Sequence, residues 1–319
     1  MKKNILVTGG AGFIGSHLVS ALLQEHRVVV LDNFSTGRRS NLPENSQLTV
    51  VEGDVSDLRV ISQLFADQEF DYIFHLAAIA SVMESVEQPL VTHQTNMDGT
   101  IYLLNAARTQ KKPIQRFVFA SSAAVYGAEP TLPKTENSPI QPLTPYAIDK
   151  FGSERYVTSY SQLFQLPVAV ARFFNVYGPR QNPDSPYSGV LSLLVDAFKK
   201  GNQADCVEFT VYGDGQQVRD FIYVADVIQG LRLLAFSEEA RDETFNLGTG
   251  RPISLHEVIL VLEILTKKQV NISYKAAREG DIPKSYAAIT KLEQLGFQVN
   301  MPIEKGLQAY LEAELCTTV

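Results

Sequence analysis

Asn4-Ile5-Leu6-Val7-Thr8-Gly9-Gly10-Ala11-Gly12-Phe13-Ile14-Gly15 is a short apolar run, then a glycine cluster, then the start of a helical pattern that continues to Leu23. The apolar run contains β-branched residues and reads as a buried strand. Gly9, Gly12 and Gly15 are spaced three apart. A turn that lets a pyrophosphate approach the backbone must be tight, and the helix behind it must pack close to the strand. Glycine meets both needs, and the helix N-terminus adds amide donors and partial positive charge. A glycine cluster alone also fits a plain tight turn. The context favours the ligand: Asp32 lies 20 residues beyond Gly12, at the end of the next apolar run, Arg27–Leu31. An acid there bonds ribose hydroxyls and repels a 2′-phosphate, which points to NAD rather than NADP. Arg38 and Arg39 are the counter-signal, unless they lie on a solvated loop.

Working outward, further apolar runs end at Gly53-Asp54 and span Tyr72–Leu76, Arg116–Ala120 and Val168–Phe174. Helical stretches lie between them at roughly 57–68, 89–109 and 145–164. Continuous apolar strands alternating with helices predict a parallel sheet covered on both faces, an α/β doubly wound fold filling residues 1–178. The texture then changes. A polar, proline-rich loop at 179–189 precedes helical patterns near 190–200, 223–236 and 254–266 and short strands near 207–212 and 270–275. This predicts a smaller mixed α/β C-terminal domain over 179–319, with a segment near 214–247 returning to the first. The stretch 128–145 has five prolines and reads as a loop.

Composition excludes several classes. The 319 residues are 45% hydrophobic and 20% charged, with a net charge of −7, the opposite bias from a nucleic-acid-binding surface. Cys206 and Cys316 give neither a disulfide framework nor metal-ligand spacing, and no metal site is expected. The N-terminal apolar run is too short for a signal peptide and no stretch approaches a membrane span. The expectation is a cytoplasmic protein with no membrane and no nucleic-acid partner.

Asp54-Val55 follows the third strand and could cradle an adenine, though a strand-end Asp can equally be a helix cap. Leu76-Ala77-Ala78 ends the fourth strand with small residues that leave room for a cofactor backbone. Asn96 brings an amide onto the next helix, costly unless bonded and so a candidate for ordering the site. The fifth strand ends in Ser121-Ser122-Ala123-Ala124-Val125-Tyr126-Gly127. A helix then opens at Tyr146, with Lys150 four residues on and therefore on the same face. Bringing a phenol from near pH 10 to neutrality takes roughly 4 kcal/mol, within reach of a lysine and a cationic nicotinamide acting together in a dry pocket.

In these residues the chain resembles the extended short-chain dehydrogenase/reductases, in the group of NAD-dependent nucleotide-sugar epimerases and dehydratases. The resemblance spans nearly the whole chain and rests on Thr8–Gly15, Asp32, Asp54-Val55, His75–Ala78, Ser121–Gly127, Tyr146-Ala-Ile-Asp-Lys150, Arg172–Arg180, Gly213–Asp226 and Arg278–Asp281. It implies a Rossmann-type fold with NAD as cofactor. Tyr146 would be the acid/base, Lys150 would hold the nicotinamide ribose and tune Tyr146, and Ser122 would bond the reacting oxygen. The cofactor side would comprise Gly9, Gly12, Phe13, Ile14, Gly15, Asp32, Asn33, Ser35, Thr36, Gly37, Asp54, Val55, Leu76, Ala77, Ala78, Asn96, Ser121, Tyr146, Lys150 and Phe174.

On the substrate side the resemblance implies Ser81, Val82, Asn175, Gly189 and Val190 besides Ser122 and Tyr146. Val211 and Tyr212 would line the base, Arg219 and Arg278 would grip the diphosphate, and Asp281 would bond the ribose. The alternative for Arg219 is a surface ion pair with Asp220 or Asp226. Related dehydratases and decarboxylases carry an acid just after the Ser/Thr of this strand end. Here Ala123 and Ala124 stand there, and a methyl group cannot move a proton. Oxidation and re-reduction at one carbon remain, which is C4 epimerisation. A position four past the Asp281 match resembles a gate for the sugar's C2 substituent. It is Ser285, with Tyr286 beside it, and a small gate goes with N-acetylated sugars. The expected substrates are UDP-GlcNAc/UDP-GalNAc, with UDP-Glc/UDP-Gal also in view. A 4-ketoreductase or dehydratase of the same family is the alternative, and a non-catalytic dinucleotide-binding regulator a more distant one. The family pattern also implies a homodimer formed through helices at about 96–109 and 146–164.

Overall fold

The computed structural model describes residues 2–183, 189–201, 206–277 and 282–315. In chain order the elements of the first half are β1 (Asn4–Thr8), α1 (Phe13–Leu22), β2 (Arg27–Asp32), β3 (Leu48–Glu52), α2 (Leu58–Asp67), β4 (Tyr72–His75), α3 (Val82–Glu87), α4 (Pro89–His93), α5 (Gly99–Thr109), β5 (Arg116–Ser122), α6 (Pro145–Phe164), β6 (Val168–Phe173) and β7 (Asn175–Tyr177). The second half continues with α7 (Val190–Lys200), β8 (Cys206–Tyr212), β9 (Val218–Tyr223), α8 (Val224–Phe236), β10 (Glu243–Leu247), β11 (Pro252–Ser254), α9 (Leu255–Thr266), β12 (Gln269–Lys275), β13 (Lys284–Ser285), α10 (Thr290–Glu293) and α11 (Ile303–Leu315).

Seven strands form one parallel sheet in the order β10-β6-β5-β4-β1-β2-β3. The unbroken apolar runs follow from it. Ile5 and Val7, with Val28, Val30 and Val118, face one core layer. Leu6, Val29, Leu31, Phe117 and Phe119 face the other. A strand with both faces covered has no polar side to present. Helices α1 and α8 pack together, as do α2 with α5 and α5 with α6. The order reverses between β1 and β4, and in such sheets the crevice beyond the strand C-termini at the reversal is where ligands bind.

The remaining strands make two small sheets. β9 is flanked by β11 and β13 and also pairs with β7, and β8 pairs with β12 in parallel. Within the segment 214–247, β10 joins the edge of the large sheet and α8 packs against β5 and β6, while β9 stays with the small sheet. The stretch expected as one helix over 89–109 is α4, a π-helical turn at Gln94–Asp98, and α5. No helix among the described residues is long and apolar enough to cross a membrane, and none of their His, Cys, Asp and Glu side chains form a group of three able to hold a metal ion.

Candidate active site

The turn after β1 shows what each glycine does. Gly9 has φ +69°, and a Cβ there would lie 2.7 Å from the Ala77 nitrogen. A Cβ on Gly15 would come within 2.1 Å of the Gly9 carbonyl, so α1 can approach the turn only with glycine at that point. Gly12 differs. An added Cβ would meet only the Gly9 oxygen, at 3.3 Å, so the protein's own packing barely requires glycine there. Gly12 is the N-cap of α1 and has no side-chain cap, whereas Asp57, Ser81, Thr144 and Ser254 cap α2, α3, α6 and α9. An uncapped helix end behind open space suits a phosphate group.

Asp32 is buried at the end of β2. Its Oδ2 accepts from Ala11 N at 2.8 Å and its Oδ1 from Phe34 N at 2.8 Å. The carboxylate is thereby aimed beside the turn, and each oxygen keeps a further lone pair for a hydroxyl. Asp54 accepts from Asn33 Nδ2 at 2.7 Å and from Ser56 N and Oγ at 2.8 and 2.6 Å. Burial pushes its carboxyl up, but the bonds from Ser56 and Asn33 together outweigh that and leave it lowered. The helix cap is Asp57 instead, so Asp54 is not the capping residue of α2. Val55 packs beneath α5, where a Cβ on Gly99 would lie 2.9 Å from it.

A buried chain of bonds sets the backbone after β4. Ala77 N donates to Thr8 Oγ1 at 3.3 Å, and Thr8 Oγ1 meets His75 Nδ1 at 2.7 Å. His75 Nε2 meets Thr100 Oγ1 at 3.0 Å, and Thr100 donates to the Asn96 carbonyl at 2.6 Å. Those donors on either side require the tautomer protonated at Nε2. Burial holds the imidazole down to about 3, with Lys150 adding to the effect, so it is neutral at physiological pH. The Asn96 side chain bonds both ways to Ile79, accepting from its nitrogen at 2.8 Å and donating to its oxygen at 3.0 Å. Asn96 lies in the π-helical turn, where its carbonyl also accepts from Ser153 Oγ at 2.9 Å. Its side-chain amide is thus fully engaged on Ile79, as its cost when unbonded required.

Ser122 ends β5 and accepts from Ala124 N at 3.1 Å, which closes the short helical turn Ala123–Tyr126. Thr144 caps α6 and Pro145 occupies its first turn, bringing Tyr146 and Lys150 into the core beside β5. Burial raises the Tyr146 phenol, and a side-chain hydrogen bond with Ser122 opposes the rise. Lys150 Nζ donates to the Ala120 carbonyl at 2.9 Å and lies 5.1 Å from the Phe119 ring centroid. Burial lowers its ammonium to about 8, against an opposing pull from Asp149.

Ser121 donates to Glu154 Oε2 at 2.9 Å, behind the strand. Phe174 is buried and Asn175 exposed at the sheet edge, with Phe174 N bonded to the Leu247 carbonyl at 3.0 Å. Ser81 caps α3, Val82 is exposed, and Gly189 and Val190 open α7. Val211 is 1% exposed and belongs to the core, so of the pair expected to line a base only Tyr212 reaches the surface. Arg219 and Ser285 are register partners on neighbouring strands. Asp220 accepts from Thr249, Gly250 and Ala287, and Asp226 from Asn300 and Met301. Arg219 Nη1 itself donates to the carbonyls of Val218 at 3.0 Å and Pro283 at 3.4 Å. Arg278 and Asp281 lie outside the described residues.

Sequence reading missed Glu154. It stands on the face of α6 that carries Tyr146 and Lys150, and the spacing of four and eight residues was the available signal.

The sequence profile described as the NAD dependent epimerase/dehydratase family matches residues 5–248. The chain is 35% identical over 313 residues to the UDP-glucose 4-epimerase of Mycolicibacterium smegmatis, covering 96% of this chain and 97% of that one. It is 34% identical over 326 residues to the UDP-N-acetyl-alpha-D-glucosaminuronate decarboxylase of Bacillus cytotoxicus, covering 98% of each. Its structure matches that of a UDP-N-acetylglucosamine 4-epimerase from Methanobrevibacter ruminantium, solved with UDP-N-acetylmuramic acid, at a TM-score of 0.92 and 34% identity over 100% of both chains. The glycine turn, the uncapped α1 and Asp32 fit a dinucleotide, and the match covers them: the chain belongs to the NAD-dependent epimerase/dehydratase family, and its cofactor is NAD.

Proposed function

We propose that this enzyme inverts C4 of a UDP-sugar, acting on the UDP-GlcNAc/UDP-GalNAc pair and, less efficiently, on UDP-Glc/UDP-Gal. The observation that carries this reading is the meeting of Ser122, Tyr146 and Lys150 at the end of β5, with only Ala123 and Ala124 following. NAD supplies reversible hydride acceptance at C4 when bound. The chain handles the proton and the geometry. Gly12 and the α1 N-terminus would hold the pyrophosphate, and Asp32 the adenosine ribose. Tyr146 Oη takes the C4 hydroxyl proton and returns it to the epimeric oxygen. Ser122 bonds both the phenol and the reacting oxygen, and the Lys150 ammonium lies on the same side to favour the phenolate. Ala123 and Ala124 offer no second acid, so the ketone has no partner for elimination. The sugar must be held loosely enough to turn, so the firm grip falls to the diphosphate, with Arg219 and Arg278 as its holders. The small Ser285 leaves room for a C2 acetamido group.

The relatives support C4 epimerisation and divide on the sugar, since one is named for UDP-glucose and another for UDP-N-acetylglucosamine. The decarboxylase relative favours keeping the alternative chemistry in the test. Incubation with UDP-GlcNAc followed by proton NMR should show UDP-GalNAc with no net absorbance change at 340 nm. Net NADH consumption or loss of the sugar's C6 oxygen would replace the reading with a reductase or dehydratase. We also read residues 1–178 with β10 as the dinucleotide unit and the small sheets as the sugar-nucleotide unit. A homodimer is supported by exposed apolar residues, Met83, Val86, Leu90, Ile148, Tyr156 and Leu163. They lie on α3, α4 and α6, the last of which is one of the two helices expected at the interface.

A further inference from the structure

A continuous path of buried hydrogen bonds leaves the strand end at Ser121 and reaches the segment that carries Ser285. Ser121 donates to Glu154, and Glu154 takes both Nε and Nη2 of Arg172. Arg172 Nη1 donates to Tyr126 Oη at 2.9 Å and to the Glu136 carbonyl at 2.9 Å. Tyr126 Oη donates to Asn246 Oδ1 at 2.6 Å. Asn246 Nδ2 donates to the carbonyls of Lys134 at 2.8 Å and Ala288 at 3.2 Å, and its backbone nitrogen donates to Glu136 Oε1 at 2.8 Å. Lys134 closes the path through its backbone, donating to the Tyr286 carbonyl at 2.9 Å and accepting from Ala288 N at 2.7 Å. Ser121, Glu154, Arg172, Tyr126, Asn246 and Lys134 are all 5% exposed or less.

The arrangement is more than packing. A buried ion pair such as Glu154–Arg172 gives little net stability, since desolvation offsets the attraction. A fully satisfied buried network does hold its members in one geometry, because any slide leaves a polar atom unpaired. Tyr126 is the joint of this one, with its hydroxyl accepting on one side and donating on the other. Burial lifts its phenol to about 12, against the pull of Arg172, so it remains a fixed donor across the working pH range. Its backbone neighbours belong to the turn that Ser122 starts. Gly127 follows with φ +54°, and a Cβ there would overlap the Gln141 carbonyl, so only glycine fits at the end of this turn.

We propose that Tyr126 is a positioning residue that holds the Ser122 strand end in register with the Tyr286–Ala288 segment, so that its hydroxyl sets the sugar preference as well as the rate. This rests on the proposed C4 epimerisation for its kinetic consequence but not for the link itself. The test uses the full-length NAD-loaded enzyme and the isosteric variant Tyr126→Phe, with Asn246→Ser as a second cut in the same path. Hydrogen exchange in the peptide 284–290, measured without substrate, should quicken by about tenfold in each variant. The ratio of kcat/KM for UDP-GlcNAc over UDP-Glc should shift by about fivefold or more. The double variant should shift that ratio no further than the larger single effect, the signature of one shared path. A merely structural role would lower the melting temperature and leave the ratio per folded, NAD-loaded subunit unchanged. Unchanged exchange and a ratio within twofold of wild type in both variants would overturn the proposal. If wild type converts neither sugar, the functional reading fails, and the exchange experiment still decides the link.

Discussion

The turn Thr8–Gly15 and the segment Lys284–Ala288 are built in opposite ways. The turn is one contiguous stretch whose shape comes largely from its own glycines, packed against the end of β2, the residues after β4 and the start of α1. The segment has little structure of its own. Ser285 pairs with Arg219, Ala287 is held by Asp220, and Tyr286 and Ala288 are held by Lys134, which Asn246 holds in turn. A site of the first kind tolerates change elsewhere in the chain and fails sharply when its own residues change. A site of the second kind can be retuned from a distance. That contrast fits a family whose members share a cofactor and differ in sugar.

The largest effect that would break the contrast concerns the chemistry beside the turn. Tyr146→Phe should lower turnover by about a thousandfold while NAD remains bound to the purified protein, read by mass spectrometry of the released nucleotide. Retained turnover would remove Tyr146 from its role. Next come two substitutions three residues apart. Gly15→Ala places a Cβ 2.1 Å from a carbonyl oxygen and should cost about 3 kcal/mol of stability or prevent folding. Gly12→Ala should leave the melting temperature of the apoprotein within a few degrees and weaken NAD binding strongly. Equal damage from both would mean that Gly12 serves packing and not a ligand.

Far less of the second region was legible in the sequence. β1, β2, α1 and α6 stand close to where apolar runs, the glycine cluster and Tyr146–Lys150 put them, since each is decided by neighbours in sequence. The helix over 89–109 was read as one piece because a π-helical turn shifts the phase without changing composition. The Asn96 carbonyl in that turn accepts from both Thr100 and Ser153, and the second is a tertiary contact. Val211 and Tyr212 come as a pair from the family resemblance, and strand alternation sends their side chains in opposite directions. The Glu154–Arg172–Tyr126–Asn246 path joins four segments separated by up to 120 residues, and no local pattern announces it.

A smaller effect sharpens the sugar side. Ser285→Tyr should lower kcat/KM for UDP-GlcNAc by about 10- to 100-fold relative to UDP-Glc, measured on the two sugars in parallel. An unchanged ratio would take the gate away from Ser285. The smallest concerns pH. Burial brings the Lys150 ammonium to about 8 in the folded chain, below its ordinary 10.5. The folded state therefore sheds this proton first, so its contribution to stability rises with pH from about 8 to 10.5 and the burial cost is fully present below 8. Activity runs the other way, because the charged form is the useful one. kcat should decline above about pH 8, and the residual activity of Lys150→Met should lack that limb. A wild-type profile flat to pH 10 would show that the ammonium is not needed.

In C4 epimerisation of this kind one carbon gives up its hydrogen and takes the same hydrogen back. UDP-GlcNAc carrying deuterium at C4, incubated with the NAD-loaded enzyme in ordinary water and analysed by NMR, tests it directly. UDP-GalNAc that keeps the deuterium at C4, with no net change at 340 nm, is the predicted result. Deuterium washed out to solvent, or product formed only as NADH is consumed, would contradict it.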